Sequence, residues 1–142
     1  MKLPMHIRVI VAFVSIVLPM ASLALDAGDI GTYRVINVRG EPTAKVFRLQ
    51  QSGSAWKIED KQADGSWVDV TCDTGCELQD STEADLRRFF PADELSKVAL
   101  SCVHSEAFAF CRFIRHVGPQ ERSYLFVALT QGQPIWLRLV RE

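Results

Sequence analysis

Short runs of apolar residues recur along the chain, and turn-forming residues separate them. The first four runs cover residues 33–38, 45–49, 56–58 and 67–70. Between them lie Gly40-Glu41-Pro42, Ser52-Gly53-Ser54 and Asp64-Gly65-Ser66. β-Branched and aromatic residues in such runs indicate strands, and glycine or proline at each break indicates a turn. This part of the chain therefore predicts an antiparallel meander.

The next segment has the apolar spacing of a helix. Asp80 or Ser81 can cap the free amide groups of its first turn, and Pro91 is expected to end it. Two acidic residues near the positive end of the helix dipole and three apolar residues on one stripe support it: Glu83, Asp85, Leu86, Phe89 and Phe90. We expect one helix here.

Four further strand-like runs follow, over residues 98–103, 108–116, 123–130 and 135–140. About eight short strands with one helix predict a single-domain α+β or mainly β fold. We expect a curved antiparallel sheet or small barrel with the helix against one open end. The core predicted from the pattern consists of Val35, Phe47, Trp56, Val68, Leu86, Phe90, Leu100, Phe108, Phe110, Leu125, Val127 and Leu137.

Residues 1–24 have the three parts of an export signal. A positively charged start, an apolar run over 9–18 and small residues up to Ala24 follow one another. The run is shorter than the roughly 20 residues that span a bilayer, and Pro19 interrupts it, so a retained anchor is the less favoured alternative. We expect cleavage after Ala24, which leaves residues 25–142 as one domain in the periplasm or secreted.

Export would place the four cysteines in an oxidising compartment, where an even number usually forms disulfides. They are Cys72, Cys76, Cys102 and Cys111. Three pairings are open, and we favour Cys72 with Cys76 and Cys102 with Cys111. The second pair faces directly across a hairpin only if the turn is centred on residues 106 and 107. A zinc site is disfavoured, because the spacings lack short cysteine knuckles.

The net charge of the mature chain excludes few functions, but its distribution is uneven. Without Lys2 and Arg8, 14 of the 16 basic residues remain against 17 acidic ones, whereas a nucleic-acid binder should be clearly basic. Residues 59–94 carry 11 acidic residues against 3 basic ones, and residues 95–141 carry 6 basic against 2 acidic. These sections either form two solvated faces that attract each other, or the acidic section meets a cationic protein partner. The second interpretation assigns partner binding to Asp80, Glu83 and Asp85.

Aromatic residues offer a second candidate surface. Trp56 and Trp67 flank the turn at residues 64–65, so they either form a shallow binding platform on neighbouring strands or fill the core.

No catalytic set is evident in the sequence. His104, Ser105 and Glu106 are adjacent, but neighbouring strand residues point to opposite faces, so the run does not assemble a triad. His116 is expected at a strand end. The acidic pairs that could serve glycoside hydrolysis are Glu59 with Asp60, Asp93 with Glu94, and Asp69 with Asp73. No phosphate loop, nucleophile elbow or zinc-binding helix motif occurs, and we predict no cofactor or metal.

The sequence therefore favours a small exported binding module over an enzyme. One hypothesis is an inhibitor or immunity-type protein that acts on an envelope-attacking enzyme through the acidic section. The alternative is a structural or accessory component of an envelope assembly that packs through the basic last third. An exported hydrolase is the third and least favoured hypothesis.

Overall fold

The computed structural model describes residues 24–71, 77–129 and 132–142, which build one antiparallel sheet with two short helices. The strands are β1 (Gly31–Ile36), β2 (Pro42–Ser52), β3 (Ala55–Lys61), β4 (Trp67–Asp69), β5 (Gln79–Asp80), β6 (Val98–His104), β7 (Phe108–Arg115), β8 (Ser123–Ala128) and β9 (Ile135–Arg141). A 3-10 helix, Ala27–Asp29, precedes β1, and α1 (Glu83–Phe89) and α2 (Ala92–Leu95) lie between β5 and β6. The predicted mainly β, single-domain fold is confirmed. The two-residue strand β5 and the single-turn helix α2 were not predicted.

The strand order is β4-β3-β2-β1-β9-β8-β7-β6-β5, and every pairing is antiparallel. Two meanders, β1 to β4 and β6 to β9, are thus joined side by side through β1 and β9. The joining ladder pairs Tyr33 with Arg141 and Ile36 with Arg138. Within the first meander, Gly53 and Gly65 have positive φ angles of 62° and 84°, as expected at glycines in tight turns.

The sheet curls into a half-barrel around a core on its inner face. Trp56 in β3 and Phe108 in β7 belong to one buried cluster, although four strands separate their positions in the sheet. Phe47 stacks on Phe126 with ring centroids 4.4 Å apart. The predicted core residue Val68 is instead 46% exposed, because β4 is an edge strand where packing ends.

The outer face of the second meander holds a separate apolar cluster. Alternation along β6, β7 and β8 places Leu100, Cys102, Ala109, Cys111 and Val127 there, and Phe89 of α1 packs against them. Strands that are covered on both faces are apolar at nearly every position, which explains the continuous apolar runs in this part of the sequence. Helix α1 therefore packs on the outer face, and the expectation that it closes an open end of a barrel is wrong.

The N-cap of helix α1 lies one or two residues after the two candidates that the sequence suggested. Thr82 is the N-cap and forms a capping box with Asp85: the Thr82 N–H donates to Asp85 Oδ2 at 2.8 Å, and the Asp85 N–H donates to Thr82 Oγ1 at 3.3 Å. Asp80 does not cap the helix because it belongs to β5, where it pairs with Val103 of β6. The N–H of Ser81 donates to the Cys102 carbonyl. Pro91 follows the end of α1, as predicted, and is the N-cap of α2.

A disulfide joins Cys102 and Cys111, whose Cα atoms lie 4.2 Å apart on directly opposed positions of β6 and β7. The favoured pairing of these two cysteines is confirmed, and the hairpin has the register that it requires. The other predicted bridge, Cys72 with Cys76, and residues 1–23 of the predicted signal lie outside the described residues.

A buried charged network fastens the segment before β1 to the second meander. Asp29 has no exposed surface, and its carboxylate accepts from Arg112 Nη1 at 2.7 Å and Arg122 Nη1 at 2.8 Å. The hydroxyl of Tyr124 donates to the same carboxylate, and that of Tyr33 donates to the Asp29 carbonyl. Each oxygen of this buried acid therefore has a partner, as burial of a charge requires.

Among the described residues, no helix has both the length and the apolar character that crossing a bilayer requires.

Candidate functional site

A groove lies on the outer face of the sheet, and we call it the outer groove. Its volume is about 1390 Å³. One wall is formed by Phe90, Pro91 and Leu95 at the ends of α1 and α2, and the floor is formed by outer-face residues of β7, β8 and β9. Large concave sites with apolar linings are the usual places for ligands.

Strand register explains the composition of the floor. Phe113 of β7 lies opposite Ser123 of β8, and Leu125 of β8 lies opposite Arg138 of β9. The floor therefore combines aromatic and aliphatic surface with a small serine and one guanidinium group. All four side chains share a face because they occupy alternate positions of neighbouring strands.

Much of the apolar surface that the molecule leaves exposed lies in this groove. Of the six large hydrophobic residues exposed in the described part of the chain, three line it: Val117, Trp136 and Val140. Single exposed hydrophobic residues need no explanation, but several in one concavity are typical of interaction sites.

Trp136 is the most firmly held of these residues. Its indole N–H donates to the carbonyl of Phe89 at 2.9 Å, and its ring stacks on Phe90 with a centroid separation of 6.1 Å. Despite both contacts, 47% of the residue remains exposed. A rigid aromatic side chain can contribute contact area without losing much rotamer freedom when a partner binds.

The groove has an excess of positive charge. Its lining includes five Lys and Arg residues and two acidic ones. Lys97 pairs with Glu94 at 3.1 Å, Arg122 binds Asp26 and Asp29, and Arg141 donates to the carbonyls of residues 28 and 30. Arg115 and Arg138 are exposed and have no ion pair within the residues that the structure describes.

The three acidic residues predicted to bind a partner lie close together in sequence on β5 and α1. Glu83 pairs with Arg87 on the next turn, and the Asp85 carboxylate accepts from Thr82 in the capping box. These Thr82 hydrogen bonds hold the pKa of Asp85 below its usual value. Asp80 is exposed on β5. Internal contacts therefore already occupy two of the three carboxylates, and their role in partner binding stays a prediction.

The two tryptophans near the first meander do not form a joint platform. Trp56 is 6% exposed and belongs to the inner core. Trp67 lies opposite Lys61 on the other face of the sheet, where the guanidinium of Arg48 lies 4.3 Å from its ring centroid. Of the two alternatives given by the sequence, filling the core is correct for Trp56. Of these two tryptophans, Trp67 is the one that a partner could still contact.

Among the residues that the structure describes, one Lys or Arg ion pair joins the acidic and basic sections, that of Glu94 with Lys97 at their boundary. The acidic residues of β3 pair nearby instead: Glu59 with Arg48 of β2 and with Lys57 of β3 itself, and Asp60 with Lys45 of β2. Two cations of the basic last third, Arg112 and Arg122, pair with Asp26 and Asp29 of the segment before β1. Contacts within a strand and between neighbouring strands determine these ion pairs. Charge counts along the chain do not reveal such contacts.

His104 contacts two residues that sequence analysis did not connect with it. Ser81 Oγ lies 2.7 Å from His104 Nδ1, and Nε2 lies 4.0 Å from Asp85 Oδ2. The second distance is too long for a hydrogen bond. The ring also packs edge-on against Phe89, and none of these polar side chains lines the outer groove. The contacts tie α1 to β5 and β6.

Of the other acidic pairs considered as catalytic, the structure separates one and does not describe another. Glu59 and Asp60 are neighbours on β3 and so point to opposite faces, and Asp73 lies outside the described residues. His116 is exposed at the rim of the outer groove. Within the three described ranges, no group of three or more metal-binding side chains occurs.

Sequence analysis did not find the residues of the outer groove. The available signal was in β9, where Trp136, Arg138 and Val140 alternate with the inner-facing Leu137 and Leu139. A strand that is apolar on both sides indicates cover on both faces. The chain gives β9 such a pattern, yet it leaves Trp136 and Val140 half-exposed on one face.

Comparison with known proteins adds no assignment: no family model matches the chain, and no curated protein or solved structure matches it either.

Proposed function

We propose that this protein is a small exported binding module that holds an apolar segment of a partner protein in the outer groove. The exposure of Trp136, Val140 and Val117 within one concavity is the observation that supports this proposal. Binding would remove their apolar surface from water, which is the main favourable term in protein association.

The scaffold beneath the groove suits this role. The floor strands pack on the inner core, and the Cys102–Cys111 disulfide lies directly under α1. A preformed surface loses little conformational entropy when it binds, so more of the contact energy appears as affinity.

The export part of the proposal rests on the sequence of residues 1–24 and is tested separately. We expect the protein in the periplasmic fraction or the medium. Its mass should correspond to a chain that starts at Leu25. A cytoplasmic product that retains Met1 would contradict export but leave the groove as a binding surface.

Two uses of such a module follow from the sequence. An inhibitor or immunity-type protein would form a small complex with one envelope-attacking enzyme, whereas an accessory component would migrate with a large assembly on gel filtration. The groove is built largely from the basic last third, which supports the accessory role. Contacts through Asp80 and Glu83 would support the inhibitor role.

Site-specific photocross-linking in the native cell tests the groove. A cross-linking amino acid at Val117, which is 87% exposed in the groove, should give one discrete protein adduct. The matched control is Val38, a fully exposed valine in the turn between β1 and β2. The adduct should disappear when Val140→Glu places a charge in the groove.

Equal adducts from both positions, or an adduct that survives Val140→Glu, would contradict the proposal. Val140 is half-exposed, so this variant should fold; an unchanged circular dichroism spectrum checks that.

A further inference from the structure

We infer that the outer groove selects an acidic segment of its partner, with Arg115 and Arg138 as the residues that determine specificity. This inference rests on the proposed function and adds the chemistry of the ligand. It commits to a peptide segment in which carboxylates accompany apolar side chains.

Arg138 is the central charge of the groove. It lies opposite Leu125 on one side and opposite Ile36 on the other, so apolar residues flank it in the sheet. Its neighbours on the same face of β9 are Trp136 and Val140. A carboxylate that reaches Arg138 would therefore sit beside apolar surface, where loss of water strengthens the ion pair.

Arg115 is the second charge, and it stands at the end of β7 opposite Val98. Phe113 precedes it on the same face of the strand and forms part of the floor. The two guanidinium groups thus border the apolar floor from different strands, β7 and β9. A ligand that covers the floor would meet both.

The other charged residues of the groove do not provide the same selection. The cations Lys97, Arg122 and Arg141 are engaged within the molecule. Asp93 and Glu94 stand on the α2 wall, and Glu94 is neutralised by Lys97. Asp93 faces the groove from α2, opposite the floor strands, so acidic side chains of the ligand are expected to point towards β7 and β9.

Arginine suits this task because its planar guanidinium can bind a carboxylate through two parallel hydrogen bonds. Charge pairs at the border of an interface also set which partner is accepted, since a like charge at the same place is repelled. The apolar floor would supply affinity, and the two arginines would supply selection.

Selection of peptides that bind the purified mature domain, from a display library of random short sequences, tests both the groove and its preference for acidic segments. We expect enriched sequences that combine Leu, Ile, Phe or Trp with Asp or Glu. For a synthetic copy of an enriched peptide, Arg138→Gln and Arg115→Gln should each weaken binding by about two- to tenfold, and more at low than at high salt. Lys61→Gln removes the same charge from β3 and should leave affinity unchanged.

Charge reversal gives the sharpest result. On Arg138→Glu the library should enrich peptides with fewer acidic and more basic residues. Enrichment of apolar peptides without acidic preference, equally on wild type and Arg138→Gln, would overturn this inference while the proposed groove stands.

Two other outcomes would also count against it. If basic peptides were enriched on the wild type and this enrichment were lost on Glu83→Gln, binding would occur at the acidic section and not in the outer groove. No enrichment over that obtained on Val140→Glu would overturn the groove itself, and the inference with it.

Discussion

Asp29 shows how much one buried charged residue can contribute to the stability of the fold. Its carboxylate accepts from Arg112, Arg122 and Tyr124, and from the backbone N–H of Asp26 at 2.8 Å. Arg112 is itself buried and also donates to Ser101 Oγ. Removing one member of a buried ion pair leaves the other without compensation, which costs more than the pair contributes.

Asp29→Asn should therefore lower the free energy of unfolding by about 3–5 kcal/mol. Urea denaturation of the mature domain measures the change. Glu121→Gln, an exposed position near Arg122, is the control and should stay within about 0.5 kcal/mol. A loss below 1 kcal/mol for Asp29→Asn would mean that the network is not formed in solution.

Asp26 links the same network to pH. The hydrogen bond from Arg122 lowers the pKa of Asp26 from 3.8 to about 2. Because the pKa in the folded state is the lower one, the stabilisation is complete above 3.8 and is lost as the pH falls through about 2. Asp26 is half-exposed, so the contribution is small.

We expect the stability of Asp26→Asn to fall less steeply than that of the wild type as the pH is lowered through this range. Thermal melts at closely spaced pH values compare the two slopes. Parallel curves would contradict the role of the Arg122 contact.

At the scale of elements, helix α1 shows what local sequence determines. Its approximate position and its end before Pro91 followed from the apolar spacing and from the chemistry of proline. The buried residue is Phe89, with 1% exposure, while Phe90 is half-buried against Trp136. Periodicity marks a stripe of several residues, but the sheet beneath decides which of them is covered.

The capping box gives a test at this scale. Thr82→Ala should destabilise the domain by about 1 kcal/mol, because an amide of the first turn loses its acceptor. Asp80→Ala should change stability by less than about 0.5 kcal/mol, since Asp80 is exposed on β5. The opposite order would favour the cap suggested by the sequence. Chemical denaturation of both variants decides.

At the scale of the whole molecule, the strands and turns could be predicted because each depends on residues close in sequence. All eight predicted strands occur, and counting residues identified the turn position at which Cys102 and Cys111 would oppose each other, as they do. The outer groove could not be predicted. It depends on the pairing of β1 with β9 and on where α1 and α2 stop covering the outer face, and both are non-local.

The disulfide is predicted to contribute strongly to global stability. Cys102→Ser together with Cys111→Ser should lower the free energy of unfolding by about 2–5 kcal/mol, because the unfolded chain gains the freedom that the bridge removed. Urea denaturation of the double variant, compared with the disulfide-bonded wild type, measures the change in the free energy of unfolding. An unchanged value would argue that the bridge is not formed.

The pairing of β1 with β9 makes the final strand a structural necessity rather than an appendage. A nonsense mutation before Ile135 would delete β9 and leave β1 and β8 each with a row of unsatisfied backbone groups. Unpaired edge strands of this kind readily pair with strands of other chains. Such a shortened product should accumulate as insoluble material, even though it would retain every cysteine and nearly all of the inner core.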